Sequence, residues 1–151
     1  MKAAFLYNVI KFIEWPAGAR GPIIFGVLGK GPLEVHLQQV VRAKSLDGRP
    51  LIVKSINKLE DIKVCHVLFI ADSESERLRD IVAALKDFTI LTVSDIDQFA
   101  RRGGMIFIVA ENQKIRFEVN PDGLARAGVK ISARFLQLAV IVRDHDREGR
   151  R

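Results

Sequence analysis

The chain has 151 residues, 48% of them hydrophobic and 28% charged, with one cysteine and a formal net charge of +6. That length suits a single domain, which buries about 68–70% of its unfolded surface and needs neither disulfide nor metal to fold. The balance of charge and hydrophobicity excludes wholesale disorder. The lone Cys65 excludes an intrachain disulfide, and no run approaches the roughly 20 apolar residues of a membrane span.

Helical spacing dominates the start. Phe5, Val9, Phe12 and Ile13 follow i, i+4, i+7, i+8, and Leu6 and Ile10 widen the apolar face. The segment superficially resembles a signal peptide, but Asn8, Lys11 and Glu14 break the run that an apolar h-region requires. It reads as a helix of the folded domain, with any targeting signal expected ahead of Met1. Trp15-Pro16 closes it, because a residue before proline leaves the α region. Its polar stripe is so narrow that the domain must cover it on two sides, or a partner must cover one.

A continuous apolar run at 23–28 suits a central strand. The turn Gly29-Lys30-Gly31-Pro32 then opens a helix whose buried face is Leu33, Leu37, Val40 and Val41. Asp47-Gly48 marks a turn before a strand at 50–56, and 64–70 is a further strand. Ser73 with Glu76 has the capping-box pattern, and Ser94 with Asp97 a weaker one. Between them lie a helix at 74–85 and a strand at 89–93. Strands at 105–109 and 114–119 flank Glu111-Asn112-Gln113 as a β-hairpin. Asn120-Pro121 starts a short helix that ends at Gly128. A last helix is expected over 132–141, the most apolar stretch, and a frayed tail from Arg143 onward. Strands alternating with helices predict an α/β fold, a three-layer sandwich. Its sheet is mixed but mostly parallel and flanked by helices, and the chain closes on a hairpin and a helix, with residues 1–142 as one domain.

The basic charge suggests nucleic acid, yet acids interleave the Lys and Arg, and the aromatics are mostly Phe at core-like spacing. A solvated basic surface is the better reading, and no nucleic-acid partner is expected. The turn at Gly29 to Gly31 lies where phosphate loops lie, but it has neither the dinucleotide order nor a Ser or Thr after Gly-Lys. Cys65, His36, His66 and His145 show no metal-ligand spacing, and adjacent Cys65 and His66 should point to opposite faces of a strand. Ser73, Ser75 and Ser94 fit helix starts better than a triad, and no nucleophile elbow exists. Burial should raise the Cys65 pKa and quiet its thiol. No catalytic residue, metal or cofactor is expected, which points to a non-enzymatic binding or regulatory module.

Two segments are more distinctive. Lys2-Ala3-Ala4-Phe5-Leu6-Tyr7-Asn8, followed by Glu14-Trp15-Pro16, resembles the opening signature of the YfiR family (DUF4154). Ile115 to Asn120 and Ala127 to Ala139 resemble its closing signature, and Cys65-His66-Val67-Leu68-Phe69-Ile70 its central strand. The resemblance implies a periplasmic protein that binds the periplasmic part of an inner-membrane diguanylate cyclase and holds it inactive, lowering cyclic di-GMP and biofilm formation. It also implies an outer-membrane lipoprotein that sequesters the repressor, and a homodimer. A sensor histidine kinase is the alternative partner. The best-understood branch has cysteine pairs that tie activity to redox state; with Cys65 alone, that gating by an intrachain bond is excluded here.

A binding module needs apolar anchors ringed by polar groups. Tyr7, Lys11, Glu14 and Trp15 on the first signature and Arg134, Phe135, Leu136 and Gln137 on the second are the candidate partner-binding residues. Lys11 and Arg134 would supply polar specificity, and Trp15, Phe135 and Leu136 apolar area. Trp15-Pro16 as a buried helix terminus, and Phe135 with Leu138 as core, is the structural alternative. Two rival functions stay open. One is a periplasmic small-ligand sensor with its pocket at the Gly29–Gly31 turn or near Trp15; the other is an enzyme on an α/β scaffold.

Overall fold

The computed structural model describes residues 1–144. Helix α1 (Lys2–Val9) continues as a 3-10 turn over Ile10–Phe12. Strand β1 (Ile23–Leu28), helix α2 (Leu33–Val41), strands β2 (Ser45–Leu46), β3 (Arg49–Ile56) and β4 (Val67–Ile70) and helix α3 (Leu78–Leu85) follow. Then come β5 (Leu91–Ser94), β6 (Ile106–Glu111), β7 (Lys114–Val119), α4 (Pro121–Ala127), α5 (Ala133–Leu136) and β8 (Val140–Ile141). The strands form one sheet in the order β2-β3-β1-β4-β5-β6-β7-β8. Only β2–β3 and β6–β7 pair antiparallel. The expected three-layer α/β sandwich with a mixed, mostly parallel sheet is therefore present.

Strand alternation sorts the core into two faces. Phe25, Val27, Val67, Phe69, Leu91 and Val93 point to the face covered by α1, α2 and α5. Leu28, Leu68 and Ile70 point to the other, against Leu78, Ile81 and Leu85 of α3. Gly26 is glycine for a packing reason: a Cβ there would collide with the Cys65 thiol. The β6–β7 hairpin closes through Asn112 and Gln113, both at positive φ (50° and 64°) as a two-residue primed turn demands. The Asn120 side chain accepts from the amides of Asp122 (3.0 Å) and Gly123 (3.2 Å), the expected N-cap, with Pro121 next.

Several boundaries differ from expectation, each for a tertiary reason. Residues 59–64 form a 3-10 helix, and the strand expected from 64 begins at Val67. The helix expected from 74 opens as a 3-10 turn over Asp72–Arg77, because Ser73 does not cap it. The Ser73 hydroxyl instead accepts from the Lys30 amide at 2.9 Å, tying the turn after β1 to the turn after β4. Ser94 is no cap either: buried, it donates to the Ile70 carbonyl at 2.5 Å and accepts from the Ile96 amide at 3.0 Å.

The helix expected over 132–141 is a correction. It lasts one turn, capped by Ser132, and then Val140–Ile141 becomes β8, parallel to β7. The outer edge of β7 has ladder groups to satisfy, and β-branched Val140 and Ile141 suit a strand better than a helix end. Arg143 and Asp144 are held in place by ion pairs to Asp122 and Arg126. The rest of the expected frayed tail, residues 145–151, lies outside the described residues.

Candidate partner-binding surface and cavities

The two ends of the chain meet. The α1 segment leaves the helix at Ile13, which bridges antiparallel to Ile131. The Glu14 amide donates to the Lys130 carbonyl at 2.9 Å, and the Ser132 amide donates to the Phe12 carbonyl at 2.9 Å. Those long-range bonds, rather than Pro16 alone, end the helix short of Trp15. Phe12 and Phe135 lie 5.3 Å apart, Phe5 is 5.0 Å from Phe117, and Phe117 stacks on Phe135 at 4.9 Å. This cluster covers the second side of α1, so the domain itself resolves the choice that its narrow polar stripe posed.

The candidate residues divide by burial. Lys11, Glu14, Arg134 and Gln137 are exposed, and Tyr7, Trp15 and Leu136 are half-buried. Phe135 is 3% exposed and belongs to the core. The apolar area on that segment falls on Leu138 instead, 70% exposed, with Val140 and Ile141 beyond it on the sheet-edge strand. The structural alternative of Phe135 with Leu138 as core holds for Phe135 and not for Leu138, because the helix ends at Leu136. Tyr7 is flanked by two ammonium groups, Lys11 at 4.5 Å and Lys44 at 5.7 Å from its ring.

Trp15 sits at an elbow. Its indole N–H donates to the Ile10 carbonyl at 3.2 Å, and its ring meets His66 edge-on at 5.9 Å. On the same ring rests the Arg49 guanidinium, 5.2 Å from the centroid. His66 Nδ1 accepts from the Ile24 amide at 3.0 Å, so in the neutral ring the proton is on Nε2. Burial, aided by the Arg49 charge, lowers the His66 pKa and favours that neutral ring. Sequence reasoning missed Arg49, although its register with inward Leu51 and Val53 was the available sign.

Two larger cavities open at opposite ends of the strands. One of about 540 Å³ is lined by Trp15, Pro16, His66, Leu91, Val129 and Lys130, among others. The other, about 410 Å³, lies at the carboxyl ends of the parallel strands, between the α2 turn (Lys30, Gly31, Pro32) and Ala71, Asp72 and Asp95. Around β1 the chain runs by α2 to β3 on one side and later returns to β4 on the other. Such a switch point is where open α/β sheets bind ligands. There Lys2 pairs with Asp95 Oδ2 at 2.7 Å, and Asp95 Oδ1 is buried without a hydrogen-bond partner.

The groups considered for catalysis do not assemble. Cys65 and His66 face opposite sides as expected, one under β1 in the α3 layer, the other against Trp15. Burial raises the Cys65 pKa to about 11. Among the described residues no three His, Cys, Asp or Glu side chains are placed to hold a metal, and no helix is long and apolar enough to cross a membrane. His145 lies outside the described residues.

The model of the YfiR/HmsC-like family (DUF4154) matches residues 1–140, nearly the whole described chain. The chain belongs to that family. Membership implies a periplasmic regulator of cyclic di-GMP signalling, a class of regulators rather than enzymes. In this YfiR/HmsC-like chain, the opening and closing signatures are the segments that hydrogen-bond to each other through Phe12, Glu14, Lys130 and Ser132.

Proposed function

We propose that this protein binds the periplasmic domain of an inner-membrane diguanylate cyclase and restrains it, lowering cyclic di-GMP and biofilm formation. The observation that carries the reading, together with family membership, is the surface left by the closing signature. Arg134 and Gln137 are exposed beside Leu138, Val140 and Ile141, whose apolar side chains are 70%, 47% and 41% exposed on a sheet-edge segment. Exposed apolar area at an edge strand with a polar rim is the arrangement of a docking surface. Lys11, Glu14 and Trp15 extend it from the opening signature, and Tyr7 and Leu136 contribute partly buried area. Phe135 acts from beneath, holding the segment in place. A homodimer and capture by an outer-membrane lipoprotein are further parts of the proposal, carried by the family alone.

The test is cyclic di-GMP in the native host. Deletion raises it, the intact gene restores it, and a Leu138→Asp, Arg134→Ala variant that is folded and exported does not. An unchanged level on deletion overturns the cyclase as partner and makes a sensor histidine kinase the one to assay.

A second reading, a small-ligand sensor, is favoured by one observation. The cavity at the switch point is bounded by the same Gly29–Gly31 turn that the sequence singled out, and an unpartnered carboxylate oxygen of Asp95 lies beside it. A ligand there would bias the state that engages the partner, to the extent that the two states bind it differently.

A further inference from the structure

Arg49 is the only charged side chain among the described residues that is classed as buried, at 9% exposure. Its Nε donates to the Gly21 carbonyl at 2.8 Å. Nη1 is fully buried without a hydrogen-bond partner, and among the described residues no bond from Nη2 is present either. None of the described ion pairs includes it. A guanidinium stays charged at any physiological pH. Desolvating it costs more than a ring contact returns. One carbonyl and one indole face therefore leave the charge under-compensated. Burial lowers the His66 pKa, and the nearby Arg49 charge lowers it further.

The same side chain lines a recess of about 210 Å³, walled by Trp15, Pro16, Ala19, Ile23 and Leu46. That is smaller than the roughly 300–1,000 Å³ of a drug-sized ligand site and suits a short acid. More of the exposed lining is polar than apolar, with Trp15, Pro16 and Leu46 beside it, and the guanidinium is the group there that would pair with a carboxylate. Asp47 also borders the recess, exposed and unpaired with Arg49, so its charge opposes an incoming anion without occupying the site.

We propose that the recess beside Trp15 is a carboxylate-binding subsite in which the Arg49 guanidinium holds the anion through Nη2, with the fully buried Nη1 adding charge from behind, and the Trp15–Pro16 elbow packs against its apolar part. The carboxylate comes either from a free small acid or from an Asp or Glu side chain of a bound protein. The proposal does not depend on which membrane protein is the partner.

Trp15 is the only tryptophan in the chain; it borders both this recess and the larger cavity beside His66, so the Arg49 and Asp47 variants assign a fluorescence change to the recess. The intact protein is titrated with sodium propionate against sodium chloride at equal ionic strength. A saturable change with propionate is expected, weakened at least about tenfold in Arg49→Met, weakened less in Arg49→Lys, and strengthened about two- to threefold in Asp47→Asn as the opposing charge is lost. Near-UV circular dichroism establishes that each variant is folded; should Arg49→Met not fold, the opposite shifts of Arg49→Lys and Asp47→Asn decide. N-acetyl-glutamate N-methylamide, run in parallel, separates the sources. Binding of propionate alone assigns a free acid, binding of the capped glutamate alone assigns a protein side chain, and binding of both supports the shared chemistry. A non-saturating response to both, or an equal response in a folded Arg49→Met protein, overturns the proposal.

Discussion

The two faces of the sheet are built from different residues. The face covered by α1, α2 and α5 carries Phe5, Phe12, Phe25, Phe69, Phe117 and Phe135, with Tyr7 and Trp15 packed at its margin. The face covered by α3 is closed almost wholly by Leu and Ile, with Phe99 and Phe107 as its aromatics. Both cavities of more than 400 Å³ and the Arg49 recess border the aromatic face. Aliphatic side chains interdigitate to close a layer. Large rigid rings fill space over a longer reach and leave polar handles and recesses at their edges. The aliphatic face is thus the more fully closed of the two, and the larger recesses lie along the aromatic face.

The contrast can be broken most severely at Phe135. Phe135→Ala empties the middle of the ring cluster and should cost about 3–5 kcal/mol in urea unfolding. Leu138→Ala, three residues on but exposed, should stay within about 0.5 kcal/mol. Equal effects would mean that the one-turn helix does not separate core from surface as described. On the aliphatic side, Ser94→Ala removes a donor to the Ile70 carbonyl and an acceptor for the Ile96 amide, both buried. A loss of about 1–3 kcal/mol is expected, and a neutral result would show that water replaces the hydroxyl. The smallest effect is at the margin of the aromatic face. The folded-state pKa of His66 lies below the ordinary 6.5, so the stability it contributes is whole above pH 6.5 and is lost as pH falls through the depressed value. Protonation also breaks the bond from the Ile24 amide. Unfolding titrations from pH 7.5 to 4.5 should show His66→Gln losing less stability on acidification than the wild type.

Much of the fold was legible because it is written locally. The apolar run 23–28, the turns at Asp47-Gly48 and Asn112-Gln113, and the Asn120-Pro121 cap each depend on neighbours in sequence. All are present in the structure. The candidate surface was half legible. The two signature segments were visible, and Lys11, Glu14, Arg134 and Gln137 are exposed, but Phe135, a candidate for contact area, is core, and Leu138, paired with it as core in the structural alternative, is exposed. Ser73 and Ser94 read as caps and became cross-braces, because the partners that claimed their hydroxyls lie 43 and 24 residues away.

By itself the sequence determined the α/β class, most element positions and the family. Periodicity, turn chemistry and an unusual string of residues do not require knowledge of what packs on what. Only the tertiary structure decided that the chain's two ends join at Ile13 and Ile131, that Val140 and Ile141 complete the sheet, and that Arg49 is enclosed beside Trp15. Each of these follows from pairing across many residues, where the free energy of a ladder edge or a desolvated charge depends on which segments the whole fold brings together.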